Sequence, residues 1–253
     1  MTAFLDALAF LTRLAPARLC EPAALGRCVP FFAPTGLVLG MLCTAAAWLA
    51  QVFMGTLPAF EAAKPLSFAL ASLLWLGLEI WLSRGLHWDG LADLADAAGA
   101  PASRFWQVLK DSRLGTFGAL SLLVAFCGQW TAVAWHVAVH DWPGLVLAPA
   151  WGRVCAVWLA ASAFPRDSQS LGGLMKTGAC FRTAAVHALI ALGAVVALCG
   201  FGLSWPQGLA LPIVQCGLIR VLARLARERG GFSGDFLGAA IVLGQTWFLL
   251  ATL

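Results

Sequence analysis

The sequence predicts an all-α fold, a polytopic integral membrane helical bundle with about seven transmembrane helices and a cytoplasm-facing active-site loop. Hydrophobic residues make up 61% of the 253-residue chain and charged residues only 11%, which is far more apolar than a soluble domain. Apolar runs long enough to cross a hydrocarbon core of about 30 Å recur along the chain. Because no polar stretch is long enough to form its own core, residues 1–253 are predicted to form a single membrane-embedded domain.

The first 33 residues are predicted to form a short interfacial helix followed by an irregular segment. Phe4, Leu8 and Leu11 recur at helical spacing, and prolines follow them. No basic stretch precedes a long apolar core here, so the segment lacks the pattern of a secretory signal peptide.

Seven apolar runs of about 20 residues then predict membrane spans. The sixth contains Pro206, Pro212 and Gln215, so a bundle of six helices is the alternative. The fifth and sixth are predicted to form a helical hairpin, with a re-entrant pair as the alternative. The predicted spans are 35–57, 66–83, 115–138, 143–163, 184–204, 206–222 and 236–253.

Basic residues outside the spans fall almost entirely on one side of the predicted membrane. With the amino terminus in the cytoplasm, the outer connections carry Lys64 alone. This asymmetry follows the positive-inside rule and predicts a protein of the cytoplasmic (inner) membrane whose acidic clusters face the cytoplasm. The inner connections carry Arg13, Arg18, Arg27, Arg84, Arg104, Lys110, Arg113, Arg166, Lys176, Arg182, Arg224, Arg227 and Arg229.

Residues 84–118 contain four of the twelve acidic residues of the chain. If residues 89–96 are helical, the carboxylates of Asp89, Asp93 and Asp96 share one face of the helix. Three anions on one face repel one another unless a cation lies between them, and carboxylates are ligands that Mg²⁺ prefers. The pattern therefore predicts a magnesium site, with a solvated acidic turn as the alternative.

The neighbours of these acids favour a chemical role. His87 precedes them and is a candidate proton carrier, since histidine titrates near neutral pH. Further along, Lys110, Ser112 and Arg113 surround Asp111 and are candidates for pairing with phosphate.

Three other charged residues near or within the spans have a structural interpretation, and two of them also have a functional one. Glu79 is predicted to pair with Arg84 about one turn away, and Arg153 is a candidate phosphate contact with a structural interhelical bond as the alternative. Asp235 follows three glycines and is a candidate helix cap, ligand or both. The connection 165–183 is predicted to be a flexible loop.

Two classes of site are disfavoured by the sequence. The eight cysteines form no CxxC pair, so they indicate neither a zinc site nor a disulfide framework. The basic residues form no run with interleaved aromatic side chains, which argues against a nucleic-acid partner. The lipid bilayer is a predicted partner, and a homo-oligomer is compatible with the sequence.

Three blocks of the chain resemble the signature motifs of the cobalamin synthase family, the adenosylcobinamide-GDP ribazoletransferases. They are RGLHWDGLADLADA, LKDSRLGTFG and GGFSGDFLGAA, in this order. The opening FLDALAFLTRLAPAR and the segment FFAPTGLVLG are also similar to the amino-terminal region of that family. The resemblance extends over essentially the whole chain.

The resemblance implies transfer of the adenosylcobinamide-phosphate group from adenosylcobinamide-GDP to α-ribazole or its 5′-phosphate, with release of GMP. Such a reaction needs mainly metal ions and cations that neutralise charge and hold the attack in line. On this hypothesis Asp89, Asp93 and Asp96 bind Mg²⁺ together with Asp111. Lys110 and Arg113 would clamp the diphosphate, and Asp235 would complete the site. His87 would accept a proton, with an aspartate as the alternative.

Two other functions remain as alternatives. A CDP-alcohol phosphotransferase also uses clustered aspartates, and its DxxDG pattern is half met by Asp93, Asp96 and Ala97. A membrane transporter is the non-enzymatic alternative. Many secondary transporters have a repeat that relates their two halves, and this chain shows no obvious repeat of that kind.

Overall fold

The computed structural model of the chain describes residues 2–16, 22–61 and 63–253, which are mainly helical. The first seven helices are α1 (Thr2–Leu11), α2 (Pro22–Cys28), α3 (Phe32–Gly55), α4 (Pro58–Glu61), α5 (Lys64–Leu82), α6 (Leu86–Gly99) and α7 (Phe105–Leu109). The remaining helices are α8 (Thr116–Ala138), α9 (Trp142–Ser162), α10 (Leu171–Gly178), α11 (Phe181–Gly200), α12 (Trp205–Glu228) and α13 (Gly234–Ala251).

Within the described ranges, seven helices are long and apolar enough to cross a membrane, which confirms the predicted bundle. The doubtful sixth span is a continuous helix of 24 residues that passes through Pro212. The side chains of Ser204 and Gln207 cap its start. Helices α11 and α12 therefore form the predicted hairpin. The first of the seven runs from Leu25 in α2 to the end of α3 at Gly55, and the others are α5, α8, α9, α11, α12 and α13.

Helix α9 lies at the centre of the bundle, between α3 and α13. Glycines allow the backbones to approach closely, as is common between membrane helices. A Cβ atom at Gly36 of α3 would lie 2.6 Å from the carbonyl oxygen of Pro149, and one at Gly152 of α9 would lie 2.6 Å from that of Ile241. Larger side chains at these positions would force the three central helices apart.

The charged connections meet at one end of the bundle, which we call the charged end. Hydrogen bonds join them there: Arg13 N to Leu82 O (2.7 Å), Trp106 Nε1 to Arg229 O (2.7 Å) and Arg166 N to Phe232 O (3.0 Å). The amino-terminal segment and the connections after α5, α9 and α12 are thus held together. Arg18, which the sequence analysis counted among the inner charges, lies outside the described residues.

Two connections are more regular than predicted. Residues 22–28 form helix α2 where an irregular segment was predicted. The prediction of a flexible loop at 165–183 is also wrong, because that connection contains α10, whose first turn is capped by Ser170. Lys176 of α10 donates to the carbonyl oxygens of Ala160 and Ala161 at 2.9 and 2.8 Å. These bonds satisfy carbonyl groups at the end of α9 and so order the connection.

Candidate functional site

Helix α6 lies at the charged end and carries Asp89, Asp93 and Asp96. This confirms the prediction that residues 89–96 are helical. The chain enters it through a tight turn in which Arg84 and Gly85 both have left-handed backbone conformations, with φ of 61° and 66°. Asp89 and Asp93 line one open cavity of about 740 Å³ beside this turn, which we call the Asp89 cavity. The cavity is large enough to admit part of a nucleotide-sized molecule.

Negative charge is concentrated around Asp93. Partial burial, and then the charges of Asp89, Asp235 and Asp96, raise the pKa of its carboxyl from 3.8 to about 6. These acids come from two helices that are distant in the sequence, α6 and α13. The cluster has the character of a cation site, since a bound cation would relieve the repulsion between its members.

Close packing of α6 on the start of α13 brings Asp235 to this cluster. A Cβ atom at Gly90 would lie 2.9 Å from the carbonyl oxygen of Asp235, and one at Gly238 would lie 3.2 Å from the Cα of His87. The first and third motifs therefore need small residues where they meet. Asp235 itself lies in the first turn of α13, and Ser233 occupies the N-cap position, so the predicted cap at Asp235 is wrong.

Asp96 joins the first motif to the second. Its carboxylate oxygens accept hydrogen bonds from the backbone N–H groups of Gly115 at 2.7 Å and Gly118 at 2.8 Å. A Cβ atom at either glycine would overlap the carboxylate. The carboxylate therefore caps the start of α8, where backbone N–H groups lack partners within the helix.

Asp111 and Arg113 form a salt bridge with each other at 2.7 Å. The hydrogen bond from Arg113 lowers the pKa of the Asp111 carboxyl to about 2. Both residues line a second cavity, with Asp96, rather than the cavity of Asp89 and Asp93. Of the predicted phosphate contacts in this segment, Ser112 lines the Asp89 cavity, while Lys110 is exposed to solvent.

His87 also belongs to α6 and is buried, with 3% of its surface exposed. It lines a narrow, largely apolar cavity together with Asp89 and Asp235. Its Nε2 has no hydrogen-bond partner among the described residues. Burial, and then the positive charge of Arg153, lower the pKa of the imidazole well below 6.5, so the ring is neutral at pH 7 and its protonation is disfavoured.

Arg153 is fully buried in α9, away from the described cavities. Its guanidinium donates to Glu79 Oε1 at 3.3 Å, to Gln245 Oε1 at 3.3 Å and to the carbonyl oxygen of Pro149 at 3.0 Å. The bonds to Glu79 of α5 and Gln245 of α13 join separate helices, so Arg153 has the structural role that was predicted as the alternative to a phosphate contact. The predicted pairing of Glu79 with Arg84 is wrong, because Arg153 takes that place in the folded bundle.

Among the lining residues of the Asp89 cavity that were not predicted as site residues are Arg84 and Phe10. Arg84 lines it and donates from Nη2 to the carbonyl oxygen of Ala9 in α1 at 3.1 Å. Phe10 of α1 lines both this cavity and the narrow one beside His87. The position of Arg84 as the first residue of the first motif was a signal for it. Nothing in the sequence indicated that α1 would reach the site.

In the described part of the chain, no group of three or more His, Cys, Asp or Glu side chains is arranged to hold a metal ion by itself. The chemistry of the donor set still fits Mg²⁺, which is usually bound through one or two carboxylates together with waters and substrate phosphates. Asp89, Asp93 and Asp235 are the carboxylates available for this role.

Comparison with known proteins gives consistent matches over almost all of the chain. The family profile described as cobalamin-5-phosphate synthase matches residues 3–253. A protein of Nitratidesulfovibrio vulgaris (strain Miyazaki F) named adenosylcobinamide-GDP ribazoletransferase is 36% identical, covering 96% of this chain and 92% of the relative.

Two further relatives carry the same name. The protein of Nitratidesulfovibrio vulgaris (strain DP4) is 39% identical over 96% of this chain and 93% of the relative. The protein of Klebsiella pneumoniae subsp. pneumoniae is 34% identical over 99% of this chain and 98% of the relative. No solved structure matches the chain. The match over residues 3–253, together with these identities, shows that the chain belongs to the cobalamin-5-phosphate synthase family.

Proposed function

We propose that the chain transfers the adenosylcobinamide-phosphate group from adenosylcobinamide-GDP to α-ribazole or α-ribazole 5′-phosphate, with release of GMP. The family and the printed names of the relatives support this reaction. The observation that carries it is the meeting of carboxylates from α6 and α13 at the charged end, beside an open cavity. The products are adenosylcobalamin or its 5′-phosphate, depending on the acceptor.

The chemistry needs a hydroxyl nucleophile, a diphosphate and a place for one proton. The acceptor hydroxyl oxygen forms a new bond to the phosphorus atom that carries the corrinoid, and the bond from that phosphorus to the oxygen of GMP breaks. Mg²⁺ bound by Asp89, Asp93 and Asp235 would neutralise charge on the diphosphate and the leaving group. Asp96 holds the second motif against α6 through its bonds to Gly115 and Gly118.

His87 fits the role of proton acceptor. Among the described residues its Nε2 has no hydrogen-bond partner, and the cavity that it lines also contains Asp89 and Asp235. The other walls of that cavity are mainly apolar, with Phe32, Leu237 and Ile241 among them. Apolar walls exclude water, which otherwise competes with the acceptor hydroxyl for the phosphorus.

The protein is an integral membrane protein by the length and composition of its seven spanning helices. We place it in the cytoplasmic membrane with the site facing the cytoplasm, because the basic residues of the connections lie at the same end as the site. A reporter fused after Leu253 tests the orientation, since seven spans with a cytoplasmic amino terminus put the carboxyl terminus outside. A cytoplasmic reporter signal would contradict it.

The reaction is tested with detergent-purified protein, adenosylcobinamide-GDP and each acceptor, by measuring GMP and the mass of the corrinoid product. The assay is run with Mg²⁺ or with EDTA. We expect the joined product with Mg²⁺ and its loss with EDTA. Absence of product from folded protein with both acceptors would refute the proposed function, whereas product in EDTA would refute only the metal requirement.

A further inference from the structure

We propose that the guanidinium of Arg84 binds the diphosphate of the nucleotide-activated substrate in the cavity that Asp89 and Asp93 line. The inference rests on the proposed function and adds a substrate contact to it. Arg84 is the only basic side chain among the residues lining this cavity in the described part of the chain. A diphosphate entering between two carboxylates needs positive charge, and arginine pairs with phosphate oxygens through two parallel N–H groups.

Arg84 lies in the tight turn between α5 and α6, beside the cavity. Its φ of 61° is a left-handed conformation that non-glycine residues rarely adopt. The following residue, Gly85, is left-handed as well, and together they turn the chain from α5 into α6. The turn leads directly into α6, whose first turn carries Asp89, and Arg84 and Asp89 line the same cavity.

Attachment of α1 uses only part of the Arg84 guanidinium. The recorded hydrogen bond of its guanidinium goes to the carbonyl oxygen of Ala9 at 3.1 Å and uses Nη2, which leaves other N–H groups available to a ligand. Arg13 fastens the end of α1 independently. Its backbone N–H donates to Leu82 O at 2.7 Å and its Nε donates to Trp81 O at 2.9 Å.

Arg13 is therefore a matched control. Both arginines hold the α1 segment to the end of α5, but only Arg84 lines the Asp89 cavity. Arg84→Asn removes the guanidinium, and asparagine tolerates a left-handed backbone, so the turn is not strained further. Arg84→Lys keeps the charge without the two-pronged donor. Arg13→Asn removes a basic side chain of the same size from the same region.

The test measures kcat and KM for adenosylcobinamide-GDP and for α-ribazole 5′-phosphate in the wild type and the three variants. For Arg84→Asn we expect the KM for adenosylcobinamide-GDP to rise about tenfold to a hundredfold, the range typical of losing a hydrogen bond to a charged group. The KM for α-ribazole 5′-phosphate should stay within about twofold. The KM of Arg84→Lys for adenosylcobinamide-GDP should lie between those of the wild type and Arg84→Asn. Arg13→Asn should have the KM of the wild type for both substrates.

Equal effects of Arg84→Asn and Arg13→Asn, or equal changes in the KM of both substrates, would overturn the inference. A binding measurement separates its failure from failure of the proposed function. In this measurement, adenosylcobinamide-GDP should raise the melting temperature of Arg84→Asn by less than it raises that of the wild type and of Arg13→Asn. If the wild type makes no product but shows this pattern, the reaction is wrong and the diphosphate contact stands. Protection of Arg84→Asn equal to that of the wild type would refute the contact.

Discussion

Replacing Asp93 by asparagine should stabilise the metal-free protein while abolishing turnover. In the folded protein, burial and the charges of Asp89, Asp235 and Asp96 raise the pKa of Asp93 from 3.8 to about 6. At pH 7 the carboxylate is therefore ionised at a cost that the unfolded chain does not have. Asparagine has nearly the same shape without the charge, so it removes this cost together with a proposed ligand of Mg²⁺.

The size of the effect follows from the pKa difference. The interval between 3.8 and about 6 corresponds to an upper value of about 3 kcal/mol in the free energy of unfolding, at about 1.4 kcal/mol per pH unit. Because the side chain is only partly buried, solvent screening reduces this to about 1 kcal/mol. For a chain of this size that is a rise of about 2–4 °C in melting temperature.

The pH dependence has a defined sign. Since the folded-state pKa is raised, the folded protein binds more protons than the unfolded chain between about pH 4 and pH 6. The Asp93 contribution to stability is therefore greatest below about pH 4 and is lost as the pH rises through about 6. Metal-free wild type should melt at a higher temperature at pH 5 than at pH 7, and Asp93→Asn should reduce that difference.

The assay is thermal unfolding in detergent with EDTA or with Mg²⁺, at pH 5 and pH 7. Asp111→Asn is the matched control, because Asp111 is already paired with Arg113 and its pKa is lowered instead of raised. A lower melting temperature for metal-free Asp93→Asn than for the wild type would refute the electrostatic argument. Near-normal turnover of Asp93→Asn would remove Asp93 from the proposed metal site.

Three further substitutions test the framework of the site. Asp96→Asn should lower the melting temperature by about 2–4 °C, because it leaves one acceptor oxygen for the N–H groups of Gly115 and Gly118. An unchanged melting temperature would show that this cap does not stabilise the protein. Gly118→Ala should reduce kcat at least tenfold, since its Cβ overlaps the Asp96 carboxylate, and wild-type kcat would contradict this. Glu79→Gln should destabilise the bundle by about 3 kcal/mol by leaving the buried charge of Arg153 unpaired, which unfolding of the purified variant measures. Unchanged unfolding of Glu79→Gln would show that this ion pair does not support the bundle.

Much of the fold could be predicted because a bilayer imposes simple rules on a sequence. Apolar runs of about 20 residues gave the seven spanning helices to within a few residues at most ends, as α8 at Thr116–Ala138 illustrates. The spacing of Asp89, Asp93 and Asp96 likewise predicted a shared helical face. These features depend on local periodicity and hydropathy, so neighbouring residues are sufficient to indicate them.

Partners that are distant in the sequence could not be predicted in this way. Glu79 has Arg84 within about one turn, yet the folded bundle pairs it with Arg153 from α9. Asp111 was grouped with the other acids by proximity in the sequence, but it lines a different cavity from Asp89 and pairs with Arg113. The choice among such partners depends on how the helices pack.

By itself, the sequence determined the membrane class, the helices, the family motifs and the concentration of acids at one end. Only the tertiary structure decided which acids meet, because Gly90 lets α6 approach the backbone of Asp235 across more than 140 residues of chain. It also placed Arg84 in the same cavity as Asp89. The physical reason is that hydropathy and periodicity act along one helix, whereas the site forms where separate helices pack closely enough for their side chains to share one space.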